Sequence, residues 1–279
     1  MERKMKTGMM RTLALIAAGT AFVTPVALQA HRQWMLPSAT VLSGNDVWVT
    51  VDAAVSNDLF YFEHQPMRLN AVKAVAPDGT EVPIENGSTG RYRSTFDVHL
   101  TKPGTYKIVS GGEGVFGSYK INGEQKRLPR GLGADKLAGA IPAGATDVKL
   151  MQTANRNEIF VTVGAPTDTV LKPTGRGLEL VPVTHPNDLV AGEAATFQFL
   201  VDGKPVAGLT VTVIPGGIRY RSDLGQMDLK TDAQGKVQVN WAQPGMYWLN
   251  ASTSDKATTL PGATERRMTY VTTLEVLAP

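Results

Sequence analysis

The feature that most limits what this chain can become is a series of short segments in which apolar and polar residues alternate. VWVTVD (47–52), STFDVHL (94–100), TYKIVS (105–110), EIFVTV (158–163), ATFQFLV (195–201), LTVTVI (209–214) and KVQVNW (236–241) all have this character. Alternation with a period of two puts successive side chains on opposite faces of an extended chain, so each segment fits a strand with one face buried. Turn chemistry closes them: Ser43-Gly44-Asn45-Asp46, Pro77-Asp78-Gly79, Asn86-Gly87, Asp202-Gly203 and Asp232-Ala233-Gln234-Gly235. These residues reverse a chain at low steric cost. Only 135–140 and the N-terminal 30 residues have any helical character. The pattern predicts an all-β fold built from sandwiches.

A weak internal repeat divides the chain. SGNDVWVTVD (43–52) corresponds to AGEAATFQFLVD (191–202), and KPGTYKI (102–108) corresponds to QPGMYWL (243–249). Each half pairs an early turn and strand with a later Pro-Gly-x-Tyr that opens a strand, as immunoglobulin-like sandwiches do at the tyrosine corner. The expectation is two tandem immunoglobulin-like β-sandwich domains, 31–164 and 178–279. They are joined by the linker APTDTVLKPTGRG (165–177), and 117–150 is expected to form an irregular surface excursion.

Residues 1–30 read as a signal peptide. Arg3, Lys4, Lys6 and Arg11 precede an apolar run from Leu13 to Val23, and small residues end at Ala30. The full chain has 28 Lys and Arg against 25 Asp and Glu; four of the basic residues and one acid fall in 1–30, so the remainder balances at 24 of each. A neutral mature chain offers no argument for nucleic acid or for an anionic membrane. No later run is long and apolar enough to span a bilayer. There is no cysteine, which excludes thiolate catalysis and Cys-ligated zinc and leaves core burial to stabilise an exported protein. The periplasm is the expected location.

Catalytic motifs are weak. GEGVFG (112–117) has the spacing of a dinucleotide fingerprint, but that chemistry needs a helix N-terminus after the glycines. SYKINGEQKRLPRG follows, broken by Gly123 and Pro129, so the stretch is expected to be a glycine-rich loop. Neither a G-x-S-x-G elbow nor an H-E-x-x-H pair occurs, and no enzyme is expected. Lys126, Arg127 and Arg130 are expected to form a solvated basic loop.

Four histidines remain. His99 alternates with Phe96, Val98 and Leu100 and is expected to point outward. His185, before Pro186, is expected in a turn. His64 lies in NDLFYFEHQPMRL, a loop unusually rich in large apolar residues. His31 would be the first residue after cleavage. A first strand from about 32 to 42 and an antiparallel return through 47–53 bring the loop 54–68 back to the mature N-terminus. An N-terminal histidine presents its α-amine and Nδ1 to one ion, and the His64 imidazole would complete a three-nitrogen set suited to Cu2+ or Ni2+.

AHRQWMLPSATVLSG (30–44) and WVTVDAAVSNDLF (48–60) together resemble an exported bacterial family of unknown function labelled as a periplasmic component of nickel or cobalt uptake. The likeness continues through GSYKINGEQKRLPR, NRNEIFVTVGAPT, LELVPVTHPNDLVAGEAATF and DLKTDAQGKVQVNWAQPGMYWLNA. The resemblance implies His31 as a functional position. HQPM, around His64, differs from the His-Pro-rich loop expected of nickel-associated relatives. The implied function is a metal-binding accessory protein that holds Ni2+ or Co2+, with Cu2+ as the alternative ion. Its expected partner is an inner-membrane metal transporter or another envelope protein. The competing reading is an envelope interaction module that binds a protein or glycan without metal. A third, more distant, is an oxidative copper enzyme built on an N-terminal histidine.

Overall fold

A computed structural model describes residues 31–129 and 131–279, so the expected signal peptide and Arg130 lie outside the described residues. The first half contains β1 (Arg32–Pro37), β2 (Val41–Leu42), β3 (Val47–Ser56), β4 (Gln65–Pro66), β5 (Val72–Val75), β6 (Glu81–Val82), β7 (Glu85–Thr89), β8 (Ser94–Leu100), β9 (Gly104–Ile121), β10 (Glu124–Arg127) and β11 (Thr146–Val163). A single helical turn, α1 (Leu137–Ala140), lies between the last two. The second half contains β12 (Leu178–Pro182), β13 (Ala194–Val201), β14 (Lys204–Pro205), β15 (Thr210–Pro215), β16 (Met227–Lys230), β17 (Lys236–Asn240), β18 (Gly245–Asp255) and β19 (Ala263–Val276). The chain is all-β, as the alternating segments predict.

Three sheets form. One runs β1-β3-β8-β7 with β4 beside β3, another runs β12-β13-β14 with β17 beside β13, and a ten-stranded sheet runs β16-β15-β18-β19-β11-β9-β5-β6 with β2 and β10 at its margins. The large sheet is shared by both halves because β11 and β19 pair in parallel, Leu150–Glu158 against Ala263–Thr272.

Alternation along β11 explains how one sheet serves two cores. Its residues Ile159, Val161 and Val163 enter a core with Val49 and Val51 of β3, Phe96 and Val98 of β8, and Tyr106 and Ile108 of β9. Arg156 and Glu158 lie on the other face, where β12 and β19 meet them. The second core joins Leu178, Phe197, Phe199 and Val239 to Val211, Leu249, Met268 and Tyr270. Two β-sandwiches therefore cover opposite faces of the shared sheet.

Each sandwich carries a tyrosine corner. The Lys102 N–H donates to Tyr106 Oη at 2.7 Å, and Tyr247 O–H donates to the Gln243 carbonyl at 2.7 Å. Both tyrosines are buried and reach four residues back, the relation that fixes the corner in immunoglobulin-like folds. The Pro-Gly-x-Tyr repeat is thus a repeated structural device.

The structure corrects three local expectations. Lys126 and Arg127, expected in a loop, belong to the exposed strand β10, where Lys126 Nζ lies 2.6 Å from Glu124 Oε2. GEGVFG is strand, not loop: Gly112, Glu113 and Gly114 pair with Asn155, Ala154 and Thr153 of β11. Gly111 has φ +135°, and a Cβ there would lie 2.1 Å from the Asn155 carbonyl oxygen, so glycine permits a close strand approach and cradles no phosphate. The stretch 117–150 is also more ordered than an excursion. Its flanks extend β9 and β11, and Val115, Leu128, Leu150 and Leu260 form a small core beneath it.

Candidate functional site

The antiparallel pairing of β1 with β3 sets Arg32 opposite Ser56. Residues 57–64 then loop back, and β4 returns beside Val55. His31 and His64 are held at this end of the sheet, both exposed, with ring centroids 3.8 Å apart and planes 5° from parallel.

Local hydrogen bonds fix the loop. Trp34 Nε1–H donates to Ser56 Oγ at 2.8 Å, and Ser56 O–H donates to the Asp58 carbonyl at 2.6 Å. Glu63 Oε1 accepts the Asn57 and Asp58 N–H groups at 2.7 and 3.0 Å. Arg32 Nη1 donates to the Asn57 carbonyl at 2.6 Å. Burial lowers the Arg32 guanidinium from its ordinary value, and Asp58 acts the other way.

The apolar residues of the loop pack downward. Leu59, Phe60 and Phe62 join Trp34, Ile214, Ile218, Trp248 and Val271 in a cluster made from both halves of the chain. Phe60 adopts φ +61°, a left-handed conformation uncommon for a bulky residue. A Cβ at Gly216 would lie 3.0 Å from its ring. Phe60 thus follows a tight fit against the second sandwich. A groove of about 560 Å3 opens beside it, walled by Leu36, Pro215, Met227, Pro244 and Tyr247.

Arginines surround the loop. The guanidinium carbon of Arg219 lies 3.8 Å from the Tyr61 ring centre, that of Arg93 lies 4.4 Å from Phe62, and that of Arg32 lies 5.9 Å from Trp248.

What the histidine pair can do follows from ring geometry. An imidazole nitrogen donates its lone pair in the plane of the ring, so stacked rings aim their lone pairs along parallel planes. One ion at about 2 Å from both nitrogens needs one ring to turn. Both side chains are exposed, which leaves room for that rotation. Among the described residues, no group of three or more His, Cys, Asp or Glu has the geometry to hold a metal ion. One oxygen of Glu63, Oε1, is taken by two backbone N–H groups. The two imidazoles fit a transition metal only with a further donor, which the α-amine of a chain beginning at His31 would supply.

The other histidines have separate settings. His99 points outward as expected, stacks on Trp48 at 4.2 Å and places Nε2 2.7 Å from Asp46 Oδ1. His185 lies in a turn, and its surroundings are less simple. Its Nδ1 accepts the Asn187 N–H at 3.1 Å, which leaves Nε2 to carry the proton towards Thr105 Oγ1 at 3.1 Å. Thr105 meets Thr162 at 2.9 Å, Thr162 O–H donates to Asn187 Oδ1 at 2.8 Å, and Asn187 Nδ2 donates to the Phe160 carbonyl at 2.9 Å. The network ties the 185–188 turn to β9 and β11.

Sequence reasoning missed a buried ionic group. Arg156 Nη1 lies 3.1 Å from Glu158 Oε1 and 3.4 Å from Glu179 Oε1, and Tyr270 O–H donates to Glu158 Oε2 at 3.1 Å. Burial and the neighbouring carboxylate push the Tyr270 phenol well above its ordinary value. Glu179 also accepts the N–H groups of Thr174, Gly175 and Arg176. Its lone pairs are met by protein donors, and it pins the end of the 165–177 segment.

The fold defines an all-β protein of paired immunoglobulin-like sandwiches. The chain belongs to the family described as Domain of unknown function (DUF4198), whose pattern matches residues 28–255. No curated protein matches it. Among solved structures it is similar to the D0-D1 domain of intimin, at 14% identity over 87% of this chain and 97% of that one, with a TM-score of 0.22. Trypsin-activated alpha-2-macroglobulin from Escherichia coli is similar at 12% identity over 88% of this chain and 16% of that one, TM-score 0.22. The ectodomain of mouse nectin-like molecule 4 is similar at 12% over 90% and 65%, TM-score 0.20. Superpositions this loose carry no argument about function. No helix among the described residues is long and apolar enough to cross a membrane.

Proposed function

We propose that this chain is a periplasmic metal-binding accessory protein, not an enzyme, that supports uptake of Ni2+ or Co2+ through His31 and His64. Cu2+ is the alternative ion, and the proposed partner is an inner-membrane metal transporter or another envelope protein. The observation that carries the reading is the 3.8 Å pairing of the His31 and His64 rings at one end of the first sandwich. Export with cleavage after Ala30 would free the His31 α-amine beside its own Nδ1, so both could close a chelate ring on one ion. His64, after a modest ring rotation, would supply the third nitrogen, and first-row ions of this kind favour such sites.

Calorimetry on the processed protein tests the proposal. One Ni2+ or Cu2+ should bind per chain. One extra residue before His31 turns the basic amine into an amide and should weaken binding about a hundredfold, the equivalent of about 2.8 kcal/mol. His64→Ala should weaken binding as well, whereas His99→Ala, on the outer face of β8, should not. Acid should release the ion, because protons compete for the same nitrogens. Equal affinity in the processed and extended chains would sink the chelate.

A further inference from the structure

The described arginines differ in what they do with their N–H groups. Those that build the fold spend them on the protein. Arg221 donates to the carbonyls of Pro215, Gly216, Asp223 and Leu224, and Arg266 donates to Asp202 and Asp255. Arg91, Arg93 and Arg219 differ: among the described residues none of them donates a hydrogen bond to a protein acceptor. Each is exposed and lies over an aromatic ring, Arg91 on Tyr92 at 5.5 Å, Arg93 on Phe62 at 4.4 Å and Arg219 on Tyr61 at 3.8 Å. Arg93 has one acidic neighbour, Asp52 at 3.3 Å, with its own side chain 48% exposed. Neither Arg91 nor Arg219 has an ion-pair partner among the described residues.

Topology gathers these residues. Ser94 begins β8 opposite Ala53 of β3, and Ala53 pairs with Met35 of β1. Residues 91–93, the 57–64 loop and His31 therefore share one end of the first sandwich. Ile218, next to Arg219, packs in the same cluster as Leu59 and Phe60. Tyr220 at 88% and Tyr92 at 42% are among the most exposed large apolar side chains described.

A guanidinium stacked on a ring keeps its flat face occupied and its edge of N–H donors free, a fork that matches a carboxylate or phosphate. Stacking also fixes the side chain, so less entropy is lost when an anion arrives. The Tyr220 ring, exposed and with no arginine over it among the described residues, offers something else, an apolar face on which the C–H face of a sugar ring can lie. An acidic peptide would use the forks and leave the ring idle.

We propose that this end of the molecule binds an acidic glycan, with Arg91, Arg93 and Arg219 taking its carboxylates and Tyr220 stacking on its sugar rings. The site goes beyond the metal reading and needs no ion. The test is affinity electrophoresis and calorimetry of the full processed chain, in EDTA, against polygalacturonate, neutral dextran and poly-L-glutamate. Polygalacturonate should bind, and binding should weaken with added salt. Arg93→Gln and Arg219→Gln should each weaken it about tenfold, the scale of one charge-assisted contact. Tyr220→Ala should weaken it comparably, and Arg267→Gln, an exposed arginine on β19, should leave it unchanged. Near-ultraviolet circular dichroism checks that each variant keeps the native fold. No binding of polygalacturonate, or an equal response to Arg267→Gln, would overturn the proposal. Equal binding of poly-L-glutamate with no effect of Tyr220→Ala would overturn it in favour of an acidic peptide.

Discussion

Single residues carry constraints that adjacent sequence can reveal only when the chemistry is local. The two tyrosine corners are of that kind: Pro-Gly-x-Tyr puts the phenol within reach of a backbone group four residues earlier, and both halves use it. The two bonds have opposite polarity, since Tyr106 accepts an N–H and Tyr247 donates to a carbonyl. Tyr106→Phe strands the Lys102 N–H beside a buried ring, while Tyr247→Phe leaves a carbonyl whose second lone pair has other recourse. Each should destabilise the protein by about 1–2 kcal/mol in urea titrations, with Tyr106→Phe the more costly. Equal stability of both variants with the parent would remove the corners from the list of stabilising contacts. The histidine pair was legible by a different route, because an antiparallel return needs only a strand length and a turn. The stacked arginines were not legible. Arg93 meets Phe62 across 31 residues and Arg219 meets Tyr61 across 158, separations at which spacing says nothing.

At the level of elements, the alternating segments were readable because each has one buried and one open face. The 18-residue β9 and β11 were not. Beyond the first core, β9 runs through glycines that resemble a turn, and β11 carries Gln152, Asn157 and Glu158, all buried polar residues that hide its pattern. Partners from distant elements meet two of them: Gln152 bonds Thr259, and Glu158 accepts from Tyr270 as well as from nearby Arg156. Among the described residues, Asn157 has only Met67 Sδ at 3.7 Å for its Nδ2 and no partner for its buried Oδ1. The 185–188 turn depends on such a match, and this makes it sensitive to acid. Desolvation by burial lowers His185 below the ordinary histidine value, against the opposing pull of a Thr167 backbone bond, Asp168 and Asp188. The unfolded chain then takes up a proton on this residue at higher pH than the folded chain does. Between the ordinary value near 6.5 and the lowered one, the unfolded state binds more protons, so stability rises with pH and is lost as pH falls. Protonating Nδ1 also removes the acceptor for the Asn187 N–H. Urea midpoints should therefore drop on acidification below about pH 6.5, and His185→Gln should flatten that part of the profile while lowering the plateau. An unchanged profile in the variant would assign the acid sensitivity to other groups.

At the scale of the whole molecule, the repeat and the linker anticipate two sandwiches but say nothing of how they are fused. We propose 31–164 and 178–279 as the two domains, and the described structure ties them at three places. The parallel β11–β19 pair makes one sheet of both. Trp34, Leu59, Ile214 and Trp248 share a buried cluster, and Trp248 Nε1–H donates to the Gln33 carbonyl at 3.0 Å. Glu275 Oε2 accepts both the N–H and the O–H of Thr40, at 2.8 and 2.7 Å. The 165–177 segment is itself held: Thr167 exchanges hydrogen bonds with Thr105 at 3.0 Å, Val170 is buried, and Glu179 holds the N–H groups of Thr174 and Gly175. Within it, Arg176 is exposed and open to trypsin, while Pro173 blocks cleavage after Lys172. Cutting there removes a tether without removing a strand, a core residue or any of the three ties. The two fragments should therefore remain together in gel filtration at neutral pH and part only under denaturant. Their joint unfolding should become dependent on concentration, because a unimolecular assembly has become a bimolecular one. Fragments that separate on native chromatography would mean that the shared sheet is weaker than its length of paired backbone implies, and that each sandwich is held by its own core alone.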